Sequence, residues 1–206
     1  MPKKKLAALS AVALALTFAA SLAFAQQPQT LRIRGTIERV DGQDLVIKSR
    51  DGSDLNVKLA ENARVLALVK ASLSDIKTGS YIGVTAMPEA DGSQRAIAIH
   101  IFPEAMRGTG EGHRPWDLRP NSTMTNAAVE SAVASAEGEV VMVKYKDGEK
   151  KVIISADTPI VAYAPGDRVE IKPGAKIIIM GAQKQPDGSL LAPAINVGRD
   201  GLTPPM

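Results

Sequence analysis

Gly42-Gln-Asp-Leu-Val-Ile-Lys48-Ser-Arg-Asp51-Gly52 holds the pattern on which the whole chain turns. Leu45-Val-Ile-Lys opens an extended run, and Asp51-Gly52 closes it with a tight-turn pair whose glycine accepts positive φ at little cost. Leu55-Asn-Val-Lys-Leu59 then alternates apolar and polar residues, as Leu31-Arg-Ile-Arg-Gly-Thr-Ile37 does before it. Such alternation gives one buried and one wet face, the mark of an antiparallel strand. Branching at the β carbon of these valines and isoleucines suits an extended backbone and crowds a helix.

The same pattern returns about 96 residues later. Gly138-Glu-Val-Val-Met-Val-Lys144-Tyr-Lys-Asp147-Gly148 repeats the glycine, the lysine and the Asp-Gly pair, and Lys151-Val-Ile-Ile154 follows. Asp75-Ile-Lys-Thr-Gly79-Ser-Tyr-Ile-Gly-Val84 pairs with Glu170-Ile-Lys-Pro-Gly174-Ala-Lys-Ile-Ile-Ile179, and Asp91-Gly92-Ser93 pairs with Asp187-Gly188-Ser189. The turn glycines expected from this repeat are Gly42, Gly52, Gly79, Gly92, Gly138, Gly148, Gly174 and Gly188. Ala71-Ser-Leu-Ser-Asp-Ile76 is expected to make one helical turn, with a hydroxyl as its cap.

Five or six short strands per copy, with almost no helix, suit a small closed barrel, which leaves no exposed edge. The expected fold class is therefore all-β, with two tandem small antiparallel β-barrels from an internal duplication. The first is placed at residues 30–103 and the second at 128–200, with a connecting strap at 104–127 and a tail at 201–206. Each copy is small enough to need support from the other. Ile177-Ile-Ile-Met180 is apolar on both faces, so that strand should be covered from both sides, at a contact between the copies or in a homodimer.

The N-terminus decides the expected compartment. Lys3-Lys4-Lys5, an apolar run from Leu6 to Phe24, and Ala23-Phe24-Ala25 have the three-part pattern of a cleaved signal peptide, residues 1–25. The chain is therefore expected to be periplasmic or secreted, with no transmembrane segment once the leader is gone. The formal charge of +3 resides in those three lysines, because the leader has no acid, and the remainder is near neutral. There is no cysteine, so no disulfide can brace the fold.

The repeat breaks between Pro103 and Thr125. Pro103, Pro115 and Pro120, with Gly108, Gly110 and Gly112, are expected to exclude regular structure throughout this strap. Long loops in compact domains are usually functional or disordered, and this one carries the sole tryptophan, Trp116. Burial of an indole is worth about 3 kcal/mol, so Trp116 is expected to anchor the strap on a barrel. The candidate contact or ligand surface is Arg107, Glu111, His113, Trp116 and Asp117.

Chemical motifs are sparse. Arg107-Gly-Thr-Gly-Glu-Gly lacks both GxGxxG spacing and a Walker ending. His100 and His113 stand apart, without HxH or HExxH spacing, although Glu104, Asp117, Met106 or Met124 could join them if the strap folded back. No metal ligand set and no cofactor is assigned. There is no GxSxG elbow, and neither histidine has a local partner that suggests a general base; no catalytic residue is assigned and the chain is not expected to be an enzyme. Arg32, Arg34, Lys48 and Lys58 alternate along the first sheet, but acidic neighbours and few aromatics argue against nucleic acid; the expected role is a solvated face.

The openings Arg34-Gly-Thr-Ile37 and Val40-Asp-Gly42, the segments Asp75 to Val84, Ile101-Phe-Pro-Glu104, Arg107 to Asp117 and Ser122 to Asn126 resemble those of a group of exported bacterial proteins of unknown function. In that family an OB-like small β-barrel recurs. The resemblance implies an OB-like barrel fold and an envelope location, and brings no catalytic residue. The second copy departs from it where Tyr-Ile-Gly-Val becomes Lys176-Ile-Ile-Ile179. The expected function is a non-enzymatic envelope protein with a binding or assembly role, its partner an unidentified envelope protein or small ligand. The alternative is a periplasmic small-ligand or metal-binding module that uses the strap around His113 and Trp116.

Overall fold

The computed structural model describes residues 30–135 and 138–206, so the expected leader lies outside the described residues. The first segment contributes β1 (Thr30–Asp41), β2 (Asp44–Ser49), β3 (Asp54–Ala71), β4 (Tyr81–Pro88) and β5 (Gln94–Phe102). After β6 (Gly112–Pro115), the second contributes β7 (Thr123–Ser135), β8 (Gly138–Tyr145), β9 (Gly148–Ile154), β10 (Ile160–Pro165), β11 (Lys176–Lys184) and β12 (Leu190–Gly198). The only helical pieces among the described residues are 3-10 turns. One is Leu73–Asp75, where the Asp75 carboxylate accepts from the Ser72 N–H at 2.8 Å. No helix among the described residues is long and apolar enough to cross a membrane.

The all-β expectation holds, and the structure contains a closed five-stranded barrel, with additional sheet strands beside it. In the barrel, β12, β11, β1, β2 and β3 pair in that order, and a parallel β3–β12 pairing shuts the ring. Ile33, Ile37, Leu45, Ile47, Val57, Leu59, Ile177, Ile179 and Ile195 fill it. A second set, β5, β4, β7, β8 and β9, surrounds Ile82, Val84, Ile99, Val129, Val141, Val143, Val152 and Ile154. Its ends meet where β5 runs parallel to β9, at Gln94 opposite Val152 and Arg95 opposite Ile153.

Tandem, self-contained barrels are not what the pairing shows. One continuous sheet runs through both segments: β11 and β12 complete the ring begun by β1–β3, while β4 and β5 sit beside β7 and β9. β3 continues for 18 residues, so its far end passes beyond the first barrel and lies beside the other set, where β4 follows. Its outer third pairs antiparallel with β10, from Leu66 opposite Pro165 to Ala71 opposite Ile160.

A third apolar cluster lies between the two sets and contains Leu68, Met124, Val161, Tyr163, Ile178 and Met206. The double coverage expected for the Ile177–Met180 run is present: Ile177 and Ile179 point into the barrel, and Ile178 into this cluster.

The expectation of no regular structure between Pro103 and Thr125 is corrected by β6 and by the start of β7. Gly112 pairs with Asn126, and Pro115 with Thr123. Pro115 is tolerated because β6 has a partner on one side only, at an edge where a missing N–H costs nothing. Each turn glycine named above has positive φ; Gly79 and Gly174 agree at 86° and 85° and Gly92 and Gly188 at 84° and 85°, whereas Gly42 and Gly138 differ at 59° and 135°, and Gly52 and Gly148 at 90° and 159°.

Candidate ligand cavity

Between the barrel and the second set lies a cavity of about 320 Å³. Strand periodicity places its central residue. Along β5, Ile99 enters the core of the second set, so His100 faces the other way, toward the intervening cluster. His100 is completely buried, and neither ring nitrogen has a hydrogen-bond partner. Burial holds the imidazole far below its ordinary value, to about 3, with a small opposing influence from the Gly83 backbone, which falls short of hydrogen-bond geometry. The ring is therefore neutral at physiological pH.

The neighbouring strands leave room around it. Gly83 sits opposite His100 on one side and Asn126 on the other. A Cβ at Gly83 would come within 2.8 Å of the Asn126 side-chain oxygen and 3.1 Å of the Phe102 ring. Asn126 donates from Nδ2 to the Thr109 carbonyl at 2.9 Å, while its Oδ1 is buried and unpartnered. Phe102 stacks on Tyr163 at 5.0 Å between centroids, and His100 lies 5.8 Å from Tyr163. Burial pushes the Tyr163 phenol up. Met106, Met124, Met180 and Met206 complete much of the apolar lining.

The segment after β5 closes the cavity from outside. The Arg32 guanidinium of β1 lies 3.6 Å from the centre of the Trp116 ring, and Arg114 lies 5.6 Å from it. The Trp116 Nε1–H is buried without an acceptor. Asp117 accepts from Arg32 at 2.7 Å and from Arg34 at 2.6 Å. Burial alone would raise the Asp117 carboxyl, but hydrogen bonds and charge from Arg34 and Arg32 outweigh it and bring it to about 2. Arg32 and Arg34 are thus fastened to the strap, which corrects the expectation of a solvated face for these two, while Lys48 and Lys58 are exposed.

Of the five strap residues read as a contact surface, Trp116 alone lines the cavity. Arg107 binds Glu104 and donates to the Gly79 carbonyl at 2.7 Å. The Glu111 carboxylate accepts from the Lys146 N–H at 2.9 Å. His113 meets the Thr125 hydroxyl at 2.8 Å, and burial, then Lys150 and Arg114, lower its pKa. These contacts rivet the strap to the second set, while Asp117 ties it to β1 of the barrel. Among the described residues, no group of three or more His, Cys, Asp and Glu side chains could hold a metal ion.

His100, Asn126, Asn196, Phe102 and Tyr163 were not legible as a group. Alternation tells which face of β5 His100 occupies, but not what covers that face. No protein-family model, characterised protein or solved structure matches the chain.

Proposed function

We propose that this chain is an exported, non-enzymatic binding protein that takes a small molecule into the cavity beneath Trp116. The observation that carries this reading is His100. An unpaired buried polar group costs on the order of 1–3 kcal/mol, and such groups are uncommon in native proteins. Here His100, Asn126 Oδ1 and Trp116 Nε1 are all unpartnered and all border one cavity. A ligand with matching donors and acceptors would remove that cost. The cavity lies within the size range, about 300–1,000 Å³, of small-molecule sites. His100 has no hydroxyl or carboxylate partner, so it is placed to recognise a ligand and not to act as an activated base.

The fold gives this site its form if the two halves are duplicates, OB-like as the resemblance implies, that have exchanged their last two strands. Each barrel then takes three strands from one copy and two from the other. Leu68 and Tyr163, equivalent in the sequence repeat, face each other directly across β3 and β10. His100 lies beside Val161, and its counterpart Asn196 lies beside Leu66. Both line the cavity, one from each copy. An approximate two-fold relation with unlike residues at the centre makes an asymmetric pocket from a symmetric frame.

Iodobenzene provides a direct test, because its heavy atom quenches indole emission on contact and Trp116 is the sole tryptophan. Saturable quenching at one molecule per chain is expected. Gly181 lines the cavity, and a Cβ there would meet nothing within 4 Å, so Gly181→Leu should fill the space without unfolding the sheet. The variant should keep its circular dichroism and lose saturable quenching. Linear, unsaturable quenching in both proteins would end this reading.

A further inference from the structure

The charge around the cavity narrows what it accepts. Resting on the binding role just proposed, we infer that the ligand is a compact aromatic monocarboxylate with a polar ring substituent for His100 and Asn126, its ring held among the aromatic and methionine side chains and its anionic head placed at Arg64 and Arg114.

The argument begins with sign. Two arginines, Arg64 and Arg114, line the cavity, and no acidic side chain does. Neither has an ion pair among the described residues. Arg114 donates to the Gly110 carbonyl at 2.8 Å and lies near Trp116. Arg64 is exposed, its guanidinium makes no hydrogen bond to a described residue, and it stands opposite Ala194, also in the lining. On the strap, Asp117 is already shared by Arg32 and Arg34. Arg34 is engaged further by the Met206 main-chain oxygen, which accepts from its Nε at 2.7 Å, so the charge left without an anionic partner at the cavity is that of Arg64 and Arg114. A guanidinium is also the side chain best matched to a carboxylate, through paired N–H donors.

Size and lining define the remainder. At about 30 Å³ per atom, close to the volume share of a water molecule, the cavity holds roughly ten non-hydrogen atoms. The stacked Phe102–Tyr163 pair and the methionines favour an aromatic body, since thioether sulfur and ring edges attract one another. The Trp116 Nε1–H adds a neutral donor for the head. Four methionines with a neutral imidazole would also suit a soft monovalent cation. Two arginines without ion pairs and the absence of an acidic side chain from the lining oppose that cation, so the organic anion is the better fit.

A matched series separates the possibilities: phenylpropionate, phenylpropanol and phenylpropylamine share body and length and differ in head charge. Each is titrated into the protein with Trp116 emission, and displacement of iodobenzene, as readouts. Phenylpropionate should bind at least about tenfold more tightly than phenylpropanol, and phenylpropylamine most weakly. Arg64→Gln and Arg114→Gln should each erase most of the advantage of the acid while leaving the alcohol unchanged. Raised salt should act in the same direction. Equal binding of acid and alcohol, with iodobenzene still saturable, would overturn the anion assignment and leave the cavity reading standing. Silver(I) bound more tightly than phenylpropionate, and lost in His100→Phe, would overturn it in favour of a soft metal.

Discussion

The barrel and the second strand set use the same number of strands but close differently. β3 lies along β12 from Val57 beside Leu190 to Leu68 beside Gly198, with one irregularity at Ala192/Ala194. In the second set, β9 touches β5 only at Gln94–Val152 and Arg95–Ile153, and β10 resumes the contact from Ile160 beside Ile99. The gap between them is Ser155-Ala-Asp-Thr-Pro159, where a proline cannot donate to a ladder. One unbroken strand serves both parts of the barrel seam, whereas its counterpart is cut in two. Closure is thus governed by whether a single segment contains a turn signal, and the second set should open first.

The largest effect should come from a direct blow to the barrel. A Cβ at Gly35 would fall against the Lys48 carbonyl and the Ile47 side chain. Gly35→Val should cost more than about 3 kcal/mol, as overpacking against backbone does at its upper end. Denaturant titration checks this; a loss below about 1 kcal/mol, near the level of surface changes, would show that the β1–β2 pair can spread.

Next in size is a pH effect confined to one half. His100 is neutral in the fold, while in the unfolded chain it titrates near 6.5. The unfolded state therefore takes up a proton first as pH falls, and stability drops from about pH 6.5 downward, toward the folded value of about 3. The expected loss between pH 8 and pH 5 is about 2 kcal/mol. His100→Asn, which copies Asn196 from the other half, should flatten this slope. An unchanged slope in the variant would show that other groups cause it.

Gly79→Val and Gly174→Val form a smaller and symmetric pair. Both glycines have nearly the same positive φ, and nothing lies within 4 Å of a Cβ at either. Only backbone strain is added, about 1–2 kcal/mol in each. Unequal losses would mean that the weaker seam of the second set lowers its tolerance. The smallest effect should be local. Trp116→Ala should raise protease cutting between Met106 and Met124 with unchanged far-ultraviolet dichroism, and normal resistance would contradict the anchoring role.

Turns and strands were legible because each depends on a few adjacent residues. Asp51-Gly52 and Asp187-Gly188-Ser189 announce their geometry locally, and the Asp187 carboxylate accepts from the Ser189 N–H at 2.9 Å, as Asp91 does from Ser93. The double coverage of Ile178 and the anchoring of Trp116 were legible for the same reason: an apolar excess must be buried. Partner choice was not. Alternation in β11 says that Ile177 and Ile179 share a face, but a period of two is silent on which strand lies alongside. β6 was hidden by Gly112 and Pro115, which read as loop residues away from an edge. The cavity combines His100, Asn196 and Trp116 from distant positions, so only the exchange of strands brings them together.

That exchange can be tested with cysteines, since the chain has none of its own. Lys58 on β3 is paired with Leu191 on β12; a tandem barrel would set it beside Arg95, the residue that the sequence repeat aligns with Leu191. Neighbouring strands bring Cα atoms within the roughly 4.4–6.8 Å span of a disulfide. Under mild oxidation of the monomer, Lys58→Cys/Leu191→Cys should form an intrachain bond and Lys58→Cys/Arg95→Cys should not. The reverse result would contradict strand exchange.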